Sequence, residues 1–271
     1  MNGIIYDGAG NLFRMTDGRA GLPVSYYTAD KVQELCSLPD GRKTDGLIVL
    51  TDTDAEGCLF EMHYFNNDGS GGVMCGNGGR CAVSFAMDLG LISPGGHCRF
   101  ISNGKQYEGT VIMDEGCDKT VRLDMPDVFI ARTVPGLPGW LVDTGCPHFV
   151  RFLKEGERLE GLDIDNQAKP LRFHEAFAPG GVNVNFVSAS DDVCSIRSYE
   201  RGVEAETLAC GTGIVAAAIA IALQNGETGE LHYDFKALGG PLSVDLTHPA
   251  VHPDGAPVAT GIRLTGPTHR H

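Results

Sequence analysis

No apolar run in this 271-residue chain is long enough to cross a membrane as a helix, which takes about 20 consecutive apolar residues. The first residues, Met1-Asn2-Gly3-Ile4-Ile5-Tyr6-Asp7, lack the basic start and apolar stretch of an export signal. A cytoplasmic protein is the expectation. Positive charge is scarce as well: 21 Lys and Arg stand against 35 Asp and Glu, a formal net charge of −14. That balance argues against a nucleic-acid partner and against anionic membrane surfaces. It leaves room for a local cationic group that holds a small anion. Paired C-x-x-C motifs are also missing. The nine cysteines, at 36, 58, 75, 81, 98, 117, 146, 194 and 210, are an odd count with no spacing that suits a structural zinc site. Free thiols in a reduced compartment fit this pattern better than a disulfide framework, and no metal is expected. Low-complexity linkers and tails are absent too.

What the chain does contain is a series of short alternating runs separated by Gly, Asp, Asn and Pro. Leu59–Phe65, Val121–Met125, Val182–Phe186 and Leu242–Leu246 all alternate apolar and polar residues, as half-buried strands do. In the third run the apolar residues can face a core while Asn183 and Asn185 face the other side. Short connections predict a largely antiparallel sheet.

Two helices stand out and resemble each other. The first starts near Gly76 and runs through Cys81 and Phe85 to Leu89, with Gly90 as its stop. The second starts near Gly211 and is apolar on every side from Ile214 to Leu223, which predicts a core helix enclosed by sheet. Each is introduced by one pattern, Cys75-Gly76-Asn77-Gly78 and Cys210-Gly211-Thr212-Gly213, about half the chain apart. The reading is an α/β (α+β) protein of two pseudo-symmetric domains, each a mostly antiparallel sheet wrapped round a central helix. The first would span residues 1–118, with about 258–271 returning to it, and the second 119–257.

The repeated pattern carries chemistry. A helix start offers unsatisfied N–H groups and partial positive charge, so two facing starts would hold an anionic group such as an α-carboxylate. The same field would favour the thiolate of the preceding cysteine and lower its pKa towards neutrality. One thiolate could then remove an α-proton while the opposite thiol returns one to the other face, without metal or cofactor. Two sulfurs flanking one carbon would also be close enough, once the site empties, to form a reversible disulfide. Cys81, inside the first helix, is expected to be a core thiol, and Gly69-Ser70-Gly71-Gly72 a mobile segment.

These residues resemble the diaminopimelate epimerase family. The segments Phe65–Ser70 with Met74–Cys81, and Tyr199–Gly202 with Glu206–Gly213, are similar to that family's two cysteine signatures. Gly8–Phe13, Asp45–Ile48, Pro147-His148 and Val182–Phe186 fall in the family's order. The resemblance implies that Cys75 and Cys210 are the two bases, acting on the L,L and meso isomers of diaminopimelate respectively, in lysine and peptidoglycan precursor synthesis. Gly76, Asn77, Gly211 and Thr212 would hold the reacting carboxylate through the backbone. Glu200 and Asn66 would hold the ammonium group, with Glu200 and His148 beside the thiols. Arg201 and Asn183 would bind the distal carboxylate, and Asn11 would line the pocket. A homodimer without cofactor is implied as well. The chain departs from the family pattern at Cys146, at Leu12, and in a stretch one residue longer at Val203–Glu206. Other readings are a racemase of the same fold acting on another amino acid such as histidine, a thiol redox sensor, and a cysteine hydrolase. The last lacks duplicated His partners for its two nucleophiles.

Overall fold

A computed structural model describes residues 3–19, 21–72, 74–93, 95–189, 193–250 and 255–271. The chain divides into two units, Met1–Asp124 with Thr265–His271, and Met125–Leu264. The first contains β1 (Ile4–Gly8), β2 (Asn11–Asp17), α1 (Ala29–Cys36), β3 (Gly46–Thr51), β4 (Phe60–Asn66), α2 (Gly76–Asp88), β5 (His97–Ser102), β6 (Lys105–Glu115) and β7 (Asp118–Asp124). The second contains β8 (Ile130–Thr133), β9 (Trp140–Asp143), β10 (Pro147–Phe152), α3 (Ile164–Arg172), β11 (Asn183–Ser188), β12 (Cys194–Glu200), β13 (Ala205–Thr207), α4 (Gly211–Asn225), β14 (Gly229–Ala237) and β15 (Gly240–His248). A last strand, β16 (Thr260–Arg270), begins in the second unit and ends in the first, where Tyr6 pairs with Arg270. The expected division after residue 118 therefore falls after Asp124, because β7 completes the antiparallel hairpin with β6.

The two units repeat one topology. In the first, β2 pairs parallel with β3 and β4 parallel with β5, while β3–β4 and β5–β6 are antiparallel. In the second, β10 pairs parallel with β11 and β12 parallel with β14, while β11–β12 and β14–β15 are antiparallel. Parallel neighbours need a crossover, and a helix supplies each one. The expected antiparallel pairing thus gives way wherever α1, α2, α3 or α4 intervenes.

Both central helices are enclosed, as the all-round apolar pattern of the second predicts. α4 is buried from Gly213 to Ala222 and packs on β9, β10, β11, β14 and β15. Its alanines at 216, 217, 218, 220 and 222 leave the room that close strands require. α2 is buried from Gly76 to Met87 against β1, β2, β3, β4, β6 and β7. Both stop at a left-handed glycine: Gly90, with φ 73°, follows Leu89, and Gly226, with φ 68°, caps α4. Such a conformation costs other residues steric strain.

A smaller core lies on the opposite face of each sheet. Val182, Val184, Phe186, Phe149 and Tyr199 pack there with Ile164 and Ala168 of α3. In the first unit Leu47 and Val49 pack with Val32 and Cys36 of α1. Strand β11 is therefore buried on both faces, and Asn183 and Asn185 are held inside the protein. The Gly69–Gly72 stretch, expected to be mobile, is tied back by Gly69 N–H to Asn66 O at 2.9 Å and Gly72 N–H to Tyr64 O at 3.0 Å.

Enlarging one α4 alanine tests this packing. Ala218→Leu should destabilise the protein by about 1–3 kcal/mol, since a filled interior has no space for the added methylenes. Urea unfolding reads this as a lower midpoint at unchanged slope. An unchanged midpoint would mean that α4 is not tightly enclosed.

Candidate active site

Each repeated motif builds the same local geometry. Cys75 and Cys210 are the N-cap residues of α2 and α4, with extended backbone angles of φ −99°, ψ 121° and φ −114°, ψ 105°. The Cys75 carbonyl accepts from Gly79 N–H at 2.8 Å and the Cys210 carbonyl from Ile214 N–H at 2.9 Å. The N–H groups of the first turns, at Gly76, Asn77 and Gly78 and at Gly211, Thr212 and Gly213, precede those that the helix itself satisfies. Gly213 is required by contact: a Cβ there would meet Asn185 Oδ1 at 2.4 Å.

In the second unit the structure gathers the residues singled out from sequence. His148 on β10 stands in register with Asn183 on β11, and both are buried. His148 Nε2 lies 3.0 Å from Thr212 Oγ1, and Cys210 Sγ lies 3.6 Å from the same hydroxyl. Asn185 takes the other ring nitrogen, its Nδ2 standing 3.1 Å from His148 Nδ1, while its Oδ1 accepts from Ser198 Oγ at 2.8 Å. That amide orientation makes Nδ1 the acceptor and assigns the imidazole proton to Nε2. The result is a donor chain from His148 Nε2–H through the Thr212 hydroxyl to the Cys210 sulfur.

Glu200, at the end of β12, accepts from Thr207 Oγ1 at 2.6 Å. The exposed Arg201 donates its backbone N–H to Asn183 Oδ1 at 2.8 Å, which joins the two residues expected to meet the distal carboxylate. Cys146 enters the same cluster: its Sγ lies 3.2 Å from His148 Nε2, 3.5 Å from Thr212 Oγ1 and 3.7 Å from Asn183 Nδ2.

The electrostatics correct one expectation. Cys210 is not lowered towards neutrality: burial pushes its thiol well up, and the charges of Glu200 and Cys146 add to that, against a smaller pull from the Thr212 hydroxyl. A buried sulfur beside a carboxylate stays protonated despite the helix start. His148 moves the opposite way, pushed down to about 4 by burial, and is neutral at pH 7.

In the first unit, Asn11 and Asn77 are joined. Asn77 Nδ2 donates to Asn11 Oδ1 at 2.6 Å, Asn11 Nδ2 donates to Asp45 Oδ2 at 3.3 Å, and Asp45 also accepts from Leu12 N–H at 2.8 Å. Asn66 ends β4 in register with Gly46 of β3, its Nδ2 donating to Ser70 Oγ at 2.9 Å. Cys81 is fully buried, and burial pushes its thiol far up, as suits a core residue. Among the described residues no group of three or more His, Cys, Asp or Glu is placed to hold a metal ion. No helix among them is long and apolar enough to cross a membrane.

Sequence reasoning missed the partners of these residues. Asn185 was legible in principle, two positions after Asn183 on the same strand face. Asp45 opens one of the segments that carry the family resemblance, though nothing in the sequence pairs it with Asn11. Ser198 and Thr207 carry no signal beyond being small polar residues near strand ends.

A family profile described as diaminopimelate epimerase matches residues 3–101 and 140–260. The chain belongs to that family. The Chlorobaculum tepidum diaminopimelate epimerase is 42% identical over 216 residues, covering 78% of this chain and 80% of its own. The Flavobacterium psychrophilum diaminopimelate epimerase is 36% identical over 242 residues, 89% of each chain. Among solved structures, a Bacillus anthracis phenazine biosynthesis protein of the PhzF family superposes with a TM-score of 0.74 at 11% identity, over 99% of this chain and 96% of that one. A hydroxyproline epimerase from Agrobacterium vitis gives 0.66 at 16% identity, over 98% and 91%. At such identity these two share the fold alone. As a member of an epimerase family this chain is an isomerase, and it shares its α/β fold with these two structures.

The buried imidazole predicts a pH effect on the epimerase's stability. With a folded value of about 4 against about 6.5 unfolded, the unfolded chain binds a proton between these values that the folded chain does not. Stability should be full above pH 6.5 and fall as pH drops towards 4, by about 3 kcal/mol from this group. Denaturant unfolding at pH 7 and pH 4.5 should show a smaller acid loss in His148→Gln than in the wild type. Equal losses would remove His148 from the cause.

Proposed function

We propose that this chain interconverts L,L- and meso-diaminopimelate by moving one α-proton through two thiols, Cys75 and Cys210, in the supply of lysine and cell-wall precursors. The observation that carries the reading is the repeat of one device, a cysteine at the cap of a buried helix with glycine in its first turn. Membership of the diaminopimelate epimerase family supports the substrate.

Starting from the L,L isomer, the Cys75 thiolate takes the α-proton and becomes a thiol. Negative charge develops on the α-carbon and its carboxylate, where backbone N–H groups of Gly76, Asn77, Gly211 and Thr212 stabilise it. Cys210 gives its proton to the opposite face and becomes a thiolate. The inverted product then leaves, and solvent returns the two sulfurs to their starting states. The reverse reaction begins with Cys210 as base. Burial and Glu200 suit Cys210 to the acid role. The Thr212 hydroxyl, backed by His148, is placed to receive its negative charge after transfer. Glu200 and Asn66 take the ammonium group. Arg201 and Asn183 take the distal carboxylate, for which a guanidinium offers planar, bidentate donors. The chemistry asks for no metal and no cofactor.

The decisive assay follows α-hydrogen exchange and isomer interconversion of L,L-diaminopimelate in deuterated water. Fast turnover in the wild type, with a loss of about a hundredfold or more in each of Cys75→Ser and Cys210→Ser, is the expected result. Turnover of histidine or another amino acid with none of diaminopimelate would move the substrate assignment to that racemase. No exchange with any amino acid in reduced, folded protein would end the two-thiol reading.

A further inference from the structure

Arg80 lies one turn into α2 and is fully buried, the largest side chain among the described residues to be so. Helical side chains lean towards the N-terminus, which carries the guanidinium back under the first turn. There Arg80 Nη2 donates to Asn77 Oδ1 at 2.9 Å. The other two nitrogens, Nε and Nη1, are buried with no hydrogen-bond partner among the described residues. No described carboxylate forms an ion pair with Arg80. A cation at this end of a helix opposes the helix dipole, and a buried one without a counter-ion is costly. Local chemistry of this kind marks functional positions.

The groups whose charges act on Arg80 are few. From its own helix they are the thiols of Cys75 and Cys81, and from β1 the Asp7 carboxylate, which already accepts from Gly10 N–H at 2.7 Å. Cys81, fully buried, is held as a thiol. At the far end of α2, Asp88 is occupied by Lys119 at 2.8 Å, by Arg270 at 3.3 Å and by the Tyr6 hydroxyl. Burial pushes Arg80 down to about 10, which leaves it charged at neutral pH. Its hydrogen bond also directs the chain of amides above it. Arg80 can only donate, so Asn77 must present Oδ1 to it and Nδ2 to Asn11, which in turn donates to Asp45. The second motif has no such cation: the residue five places after Cys210 is the buried, apolar Val215.

We propose that Arg80 is a positioning residue whose uncompensated buried charge holds Cys75 as the thiolate, so that the two cysteines rest in opposite states, Cys75 the base and Cys210 the acid. This rests on the assignment of Cys75 and Cys210 as the two bases. It explains why a strained cation sits under one helix start and not the other.

The test is the pH dependence of Cys75 alkylation by iodoacetamide in ligand-free protein, read on the Cys75 peptide by mass spectrometry, in wild type, Arg80→Lys and Arg80→Met. The wild-type midpoint should lie below the ordinary thiol value of about 8.5. Arg80→Met should raise it by about one unit or more, and Arg80→Lys, which keeps the charge and loses the bond to Asn77, should stay near the wild type. The acid limb of L,L-diaminopimelate turnover should move with the alkylation midpoint. A wild-type midpoint at or above 8.5 overturns the proposal, even where Arg80→Met proves too unstable to measure. So does a Lys variant that behaves like the Met variant, which would make the role of Arg80 one of shaping Asn77. Alkylation is independent of turnover, so the two claims fail separately. Full exchange activity in Cys75→Ser would sink the base assignment, whereas an unshifted midpoint in Arg80→Met, with Cys75→Ser inactive, would sink only the role of Arg80.

Discussion

The structure depends on one electrostatic device, the start of an enclosed helix with a cysteine at its cap. A helix start is where the backbone exposes unpaired N–H groups and partial positive charge, and anions gather there. To use it twice, the chain builds two strand-rich units of one topology and threads a helix through the middle of each. The glycines beside each cysteine keep the first turns bare, and the buried helices hold them in place. Much of the sequence's unusual composition, its glycine turns and its all-apolar second helix, follows from that arrangement.

How legible this was depended on the length scale of the signal. The two central helices could be read to within a residue or two, because a cysteine-glycine start, a continuous buried pattern and a glycine stop coincide. The helices α1 and α3 left weaker marks. They have 8 and 9 residues, and their clearest signals are the N-caps Thr28 and Asp163. Missing them also hid the parallel pairings that they bridge. The unit boundary was misplaced by one strand because β7 alternates like its neighbours, and nothing local tells which sheet a strand joins. In the site, the residues named by motif carry a signal along the chain, whereas the ones that orient them do not. Asn185 fixing the His148 tautomer and Arg80 beneath Asn77 are facts of burial, and burial of a polar side chain has no pattern along the chain.

The structure also shows that twin motifs need not be equivalent. The helix start was expected to lower both thiols. For Cys210 the opposite holds, because desolvation and the Glu200 carboxylate outweigh the partial charge of the helix. About half an elementary charge at a helix start is a modest influence, about 0.3–1 kcal/mol in exposed settings. Full burial of a thiolate is a much larger one. An enzyme that must present one acid and one base gains from such inequality, since two identical thiols would both rest in the same form.

The central claim is that two groups, not one, move the proton. The direct measurement is the label distribution at the start of the reaction of L,L-diaminopimelate in deuterated water. Two separate thiols predict that the first meso product carries one deuterium at the inverted carbon while the unconverted substrate carries none. Deuterium entering the remaining substrate as fast as product forms, or product that keeps its original hydrogen, would mean a single base serving both faces, and would contradict the account.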